Sequence, residues 1–182
     1  MNKQFRGAPF PTLNSPRLKL RPVLRKDTGL VFHLRSDEEL NKFILREPLQ
    51  KEGEALQFIE ENEIKVREGK LIHWTLEVKS NLQGIGNICL WNFSADGKSG
   101  ELGYSLIKAY QGQGLMSEAV KLVLAFGFIQ LDFTSIEAYT QNNNQKSIGL
   151  LERFGFVHNP SKNDPHNSKN IVYELERRNW LK

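Results

Sequence analysis

The chain has 182 residues, 25% of them charged and 39% hydrophobic, enough for one domain with a substantial core and too few for two comfortable ones. That balance excludes a wholly disordered chain. The formal charge of +4 comes from 25 Lys and Arg against 21 Asp and Glu. It suits an anionic ligand, and no basic run reaches the block length of a nucleic-acid tail.

Residues 1–14 carry Pro9 and Pro11 without periodicity and are expected to form an N-terminal arm packed on, or trailing from, a single domain over 15–182. Arg17 to Val23 alternates as a first strand, with Arg17, Lys19 and Arg21 on its solvated face. Asp27 and Asp37 can cap two short helices, through Leu34 and Phe43. Lys51 to Glu68 predicts a longer helix with Ala55, Phe58, Ile59, Asn62 and Val66 on one face, ended by Gly69.

The period then changes to two. Ile72, Trp74, Leu76 and Val78 face one way in a strand, with His73, Thr75 and Glu77 on the other face. Ile85 to Trp91 returns beside it, Ser94 to Gly100 makes a hairpin loop, and Glu101 to Ile107 is the next strand. A helix begins just after Gly112-Gln113-Gly114. Ser135 to Thr140 reads as a strand, Ser147 to Phe154 as a helix, and Ile171 to Glu176 as a closing strand. Helices, then a meander, then strand–helix units describe an α/β domain on one mixed sheet.

The lone cysteine, Cys89, excludes an internal disulfide and fits a reducing compartment; in its alternating stretch it reads as a small buried hydrophobe. Met1 to Leu13 has no apolar signal-peptide core, and the longest apolar run, Leu122 to Ile129, is too short to cross a bilayer. A soluble cytoplasmic protein is expected, without a membrane partner. The four histidines show no metal-ligand spacing, so no metal is expected.

Gln111, Gly112, Gln113, Gly114, Leu115, Met116 and Ser117 join a strand to an amphipathic helix. Two glycines at alternate positions let backbone N–H groups turn toward a ligand, and the helix behind adds its positive end. No Lys-Ser or Lys-Thr follows, as a Walker loop would require. A tight turn with no ligand explains the spacing equally well.

This loop resembles the [Gln/Arg]-x-x-Gly-x-[Gly/Ala] acyl-CoA loop of the GNAT N-acetyltransferases, with Met116 at the small-residue position. Glu101-Leu102-Gly103-Tyr104 before it and Met116-Ser117-Glu118-Ala119 after it are similar to the RimJ/RimL-type ribosomal-protein enzymes. So are Asn144-Gln145-Lys146-Ser147 with Leu151 to Phe156, and Ser15 to Pro22. The likeness spans roughly residues 15 to 176. It implies a GNAT-like α/β fold: a mixed, mostly antiparallel central sheet, splayed between its middle strands, with helices on both faces. It also implies acetyl-CoA as cosubstrate and an amine acceptor, such as a ribosomal or other protein N-terminus. Oligomeric state stays open, a homodimer being one option.

Under that resemblance, Gln111 to Ser117 hold the pyrophosphate. The donor's arm pairs with Gly100 to Ile107, and the backbone N–H near Leu106 faces the thioester oxygen. Glu101 is the candidate general base and Asp164 a weaker one. Ser147 is the candidate proton donor to the leaving thiolate, and Asn144 holds the arm or orients Ser147. Each has a structural alternative: Glu101 a carboxylate on the sheet, Leu106 a ladder residue, Asn144 and Ser147 a helix cap. Trp74, Trp91, Phe93 and Tyr104 are core or line the acceptor cleft, which Ser94–Gly100 and Phe43–Glu52 would wall. The alternatives in function are a small-molecule amine acceptor (polyamine or aminoglycoside) and an idle acyl-CoA-binding module. No aromatic stacking signature supports nucleic-acid binding.

Overall fold

A computed structural model describes residues 9–180; most of the arm lies outside them. The elements run β1 (Leu13–Asn14), β2 (Leu18–Pro22), α1 (Thr28–Ser36), α2 (Glu38–Asn41), α3 (Glu52–Arg67), β3 (Leu71–Val78), β4 (Gly84–Trp91) and β5 (Ser99–Leu106). They continue with α4 (Leu115–Ala125), β6 (Ser135–Gln141), α5 (Gln145–Arg153), β7 (Val157–His158), β8 (Asn170–Glu176) and α6 (Arg177–Trp180). One sheet holds the described strands in the order β1-β2-β3-β4-β5-β6-β8-β7. Every neighbouring pair is antiparallel except β5 with β6.

That parallel pair is where the sheet parts. β5 and β6 are in register only at Ser99–Ser135, Gly100–Ile136 and Glu101–Glu137. Beyond Glu101 both strands continue unpaired with each other, to Leu106 and Gln141, so the sheet opens into a wedge. This is the mixed, splayed, mostly antiparallel sheet that the family resemblance implies.

Two helical layers cover it. Leu18, Leu20, Trp74, Leu76, Ile88, Leu90, Leu102 and Ile136 pack with Ala119, Val120, Val123 and Leu124 of α4 and Leu150 and Leu151 of α5. α1 and α3 close the other face through Val31, Ala55 and Ile59. His73, Thr75 and Glu77 are therefore as buried as their apolar neighbours.

The structure corrects several local expectations. Arg21 is not on a solvated face: it is 7% exposed and donates to Asp27 at 2.7 and 2.9 Å and to Glu77 at 2.6 Å. Asp27 precedes α1 but does not cap it, because its carboxylate takes Arg21 and the Leu24 N–H instead. Asp37 does cap α2, accepting from the Leu40 N–H. The start of the chain contributes more than an unpatterned arm: β1 forms an edge strand, the Trp74 indole donates to the Pro11 carbonyl at 2.7 Å, and Phe10 meets that ring edge-on. β1, β7 and α6 are too short to show a period, which is why sequence pattern misses them.

Candidate active site

The anion cradle is built on backbone. Gly112 and Gly114 both have φ +76°, a left-handed conformation that glycine adopts without strain. A Cβ on Gly112 would meet nothing, and one on Gly114 would lie 3.4 Å from an Arg17 nitrogen. Only backbone conformation therefore demands these glycines. Gly114 sits at the N-cap of α4 and no side chain caps it. The N–H groups of Leu115, Met116 and Ser117 have no intrahelical acceptor and add to the helix dipole there.

Neighbouring side chains hold this loop in place. Gln111 donates from Nε2 to the Leu106 carbonyl at 3.0 Å and accepts from Lys146 Nζ at 3.2 Å, tying β5, the loop and α5 together. Gln113 donates to the Ala109 carbonyl at 2.9 Å. Glu118, the carboxylate in the first turn of α4, accepts from Ser15 Oγ and from Arg17 Nε. Desolvation raises its pKa, and these two bonds more than reverse that, leaving it lowered. Arg17, expected only as a wet strand position, thus stands beside the cradle. The proximity is between residues about a hundred positions apart, which no local spacing could reveal.

The wedge lies next to the loop. The Ile107 N–H donates to the Ile85 carbonyl at 2.9 Å, which fixes the alternation of the β4–β5 ladder. By that alternation the N–H groups of Tyr104 and Leu106 point away from β4, into the gap that β6 leaves. An amide-bearing arm can pair there. Asn144 caps α5, accepting the Ser147 N–H at 3.3 Å. The Ser147 hydroxyl lies 2.8 Å from the Tyr104 hydroxyl across the wedge. Burial pushes Tyr104 up to about 12, against the hydrogen bond with Ser147. The sequence offers Tyr104 only as core or as cleft lining; its link to Ser147 spans 43 positions.

Carboxylates converge on the opposite face of the sheet from α4. Glu101 occupies the last rung before the strands part, directly across from Glu137. Asn92 Nδ2 donates to it at 3.4 Å. Desolvation pushes its carboxyl up to about 7, Asn92 opposes this, and the charges of Asp164 and Glu137 add to it. Glu137 accepts from Tyr139 at 2.9 Å, and Lys162 bridges it at 2.5 Å to Glu174 at 2.9 Å. Asp164, the weaker base candidate, is occupied within its own loop by the His166 N–H and the Asn170 amide. It acts on Glu101 as a charge. Gly103 places no side chain between Glu101 and Ser105 on this face. Burial, with the Glu101 charge, pushes the nearby Cys89 thiol up to about 12, which disfavours a thiolate nucleophile.

The Ser94–Gly100 loop, expected to wall the acceptor side, folds on itself through Ser94 Oγ and is anchored by Lys98 to Asp132 at the closed end of the wedge. Among the described residues, no group of three or more His, Cys, Asp or Glu is placed to hold a metal ion. Nor is any helix among them long and apolar enough to cross a membrane.

The model of the GNAT acetyltransferase domain matches residues 17–157. The chain belongs to that family. It is an acetyl-CoA-dependent N-acetyltransferase, and the wedge and glycine loop lie within the matched region. This acetyltransferase is 27% identical over 147 residues to the uncharacterized N-acetyltransferase YoaA of Bacillus subtilis (strain 168), covering 81% of this chain and 83% of that one. It is 23% identical over 139 residues to the spermidine N(1)-acetyltransferase of Escherichia coli (strain K12), covering 76% and 72%. Its fold matches the ribosomal L7/L12 α-N-protein acetyltransferase RimL, solved in complex with coenzyme A. The TM-score is 0.79, at 16% identity over 91% of this chain and 98% of that one.

Proposed function

We propose that this acetyltransferase moves the acetyl group to the α-amine of a protein N-terminus by direct attack in a ternary complex, as a RimJ/RimL-type enzyme. The observation that carries the reading is Glu101: a carboxyl raised to about 7, on the last paired rung of the wedge. An α-amine with a pKa near ~8 needs only a modest base, whereas a lysine near ~10.4 needs a stronger one. The RimL-like fold agrees with this acceptor.

In this reading the N–H groups of Gly112 to Ser117 receive the pyrophosphate, with Arg17 and Lys146 adding positive charge nearby. The freed edge of β5 aligns the pantetheine arm, helped by Asn144. Glu101 takes a proton from the acceptor ammonium, directly or through water. The nitrogen then forms its bond to the thioester carbon, and the Leu106 N–H stabilises the oxyanion. As the C–S bond breaks, the Ser147–Tyr104 hydroxyl pair supplies a proton to the leaving thiolate, whose free pKa is near ~8.5, and is made good, through water, by the second proton that the new amide nitrogen loses. A cytoplasmic enzyme that needs no metal fits this chemistry.

A second reading, a polyamine acceptor, draws on a specific feature: Glu101, Glu137, Glu174 and Asp164 lie close enough to interact, and a spermidine acetyltransferase is among the relatives. The test is mass spectrometry after incubation with acetyl-CoA and peptides that each carry a free N-terminus and a lysine, with spermidine in competition. Acetyl groups on N-termini are expected. Acetyl groups chiefly on lysine or spermidine overturn the acceptor assignment and leave the acetyltransferase in place.

A further inference from the structure

Two partly buried arginines on the acceptor side lack the acidic partners that Arg21 has. Arg35, near the end of α1, lays its guanidinium 3.9 Å over the Phe58 ring of α3. Its Nε is the sole buried side-chain nitrogen or oxygen without a hydrogen-bond partner among the described residues. Arg46, in the segment after α2, donates only to neutral oxygens: Asn41 Oδ1 at 2.7 Å and the Leu34 carbonyl at 3.1 Å. Among the described residues neither arginine has an acidic partner within ion-pair distance. Arg21, on the same side of the sheet, shows the contrast, with Asp27 and Glu77 on its guanidinium.

Two half-buried cations held close together with no counter-charge are costly. Desolvation, with the charge of Arg35, holds Arg46 down to about 10. His73 beside them does not compete as a cation, since burial and then Arg35 press it down to about 4. The Nε itself is closed to a ligand, but the two Nη atoms of Arg35, also without a protein partner among the described residues, are not sealed from solvent, and a pair of guanidinium N–H donors is the natural seat of a carboxylate or phosphate.

The sheet gives the position. His73, which feels the Arg35 charge, shares a cross-strand rung with Cys89, and Cys89 with Gly103. Gly103 is two residues from Glu101 on the same face of β5. Strands lie about 4.8 Å apart, so β3 and β5 are separated by about 10 Å, the reach of roughly three extended residues.

We infer that Arg35 and Arg46 form an anion subsite that receives an acidic side chain, carboxylate or phosphate, from the first few residues of the acceptor peptide while its α-amine lies at Glu101. The inference rests on the peptide-acceptor reading above. It adds a selectivity: acidic N-terminal sequences over neutral or basic ones.

The experiment uses the full chain and matched peptides that differ only at their third residue: Glu, Gln, Lys or phosphoserine. Both kcat/KM and, in the presence of CoA, the calorimetric Kd are read as ratios within each protein variant. The wild type is expected to favour Glu over Gln by about tenfold or more, the scale of a charge-assisted fork. Arg35→Met, which keeps the apolar stem over Phe58, should bring that ratio near one, and Arg46→Gln should lower it. Thermal stabilisation by CoA checks that each variant is folded. A stronger preference for phosphoserine, lost in Arg35→Met, names phosphate as the anion. Equal use of Glu and Gln peptides by the wild type, or a preference undiminished in both variants, overturns the subsite and leaves N-terminal acetylation intact. Acidic peptides bound through Arg35 but never acetylated would instead sink the acceptor reading and keep the subsite. Absence of any peptide binding overturns both.

Discussion

The two sides of the wedge are made differently. On the proposed donor side, Gly112, Gly114 and the first turn of α4 are contiguous, and what they offer a ligand is backbone N–H groups. On the proposed acceptor side, Glu101, Glu137, Glu174, Asp164, Arg35 and Arg46 come from separate elements, and what they offer is side-chain charge. A backbone cradle fits any acyl-CoA and is indifferent to most neighbours. A charge cluster is set by its surroundings: desolvation first, and then the charges of Asp164 and Glu137, raise the Glu101 carboxyl against the Asn92 hydrogen bond. The donor side can therefore stay constant in a fold while the acceptor side changes.

The largest effect should come from breaking the cradle. Gly114→Val forces a β-branched residue to φ +76°, where strain rather than a clash moves the backbone. At a hundredfold excess over Kd, CoA should stabilise the wild type by about 2.7 kcal/mol, or roughly 5–10 °C in a chain of this size. A thermal scan should show that shift abolished in Gly114→Val. A shift that persists in the folded variant would remove the cradle from the site.

The next largest concerns the hydroxyl pair, where the two sides meet. Ser147→Ala and Tyr104→Phe should each lower kcat by roughly ten- to a hundred-fold, with KM for acetyl-CoA nearly unchanged, because a proton donor acts mainly in the transition state. If the two hydroxyls act as one relay, the double variant should be no slower than the worse single. Losses that multiply would show two independent roles. A fall in stability alone would reduce Ser147 to part of the α5 cap.

The same contrast explains what the sequence could convey. Helix α4 and its glycines were legible because helix periodicity, a strand before and a turn between occupy one short window. The Asn144 cap and Ser147 were legible for the same reason, once the family likeness was added. Alternation places Arg21 on a solvated face because it marks two faces and does not say that α1 and α3 cover the second. Arg17 beside Gly114, Tyr104 on Ser147, and Glu137 across from Glu101 depend on strand order and register. Those are products of the whole fold, and Glu101 itself was found only as a residue on the right strand, with no hint of its neighbours.

On the acceptor side the expected changes are smaller and depend on pH. With Glu101 at about 7, the rate should rise through pH 7 as the base ionises. Glu101→Gln should cost about tenfold at neutral pH and recover much of that by pH 9, where an α-amine is already neutral. A loss that is flat across pH would make Glu101 an orienting group and shift the proton transfer to water.

The smallest effect is on stability, and its sign opposes the loss of rate. An unfolded glutamate titrates near ~4.3, well below the folded value of about 7. The folded state therefore binds more protons between those limits, so the contribution of Glu101 is fully present below pH 4 and is lost as pH rises through 7. Its charge at pH 8 is a destabilising one, held beside Glu137 and Asp164. Glu101→Gln removes it, and should stabilise the protein at pH 8 by on the order of 1–2 kcal/mol, discounted for solvent at the wedge. Near pH 4 the variant and wild type should unfold together. Denaturant titrations at the two pH values measure the difference directly. A Gln variant that is less stable at pH 8 would mean that Asn92 and the wedge hold an ionised carboxylate favourably, and the raised pKa that distinguishes the acceptor side from the donor side would be gone.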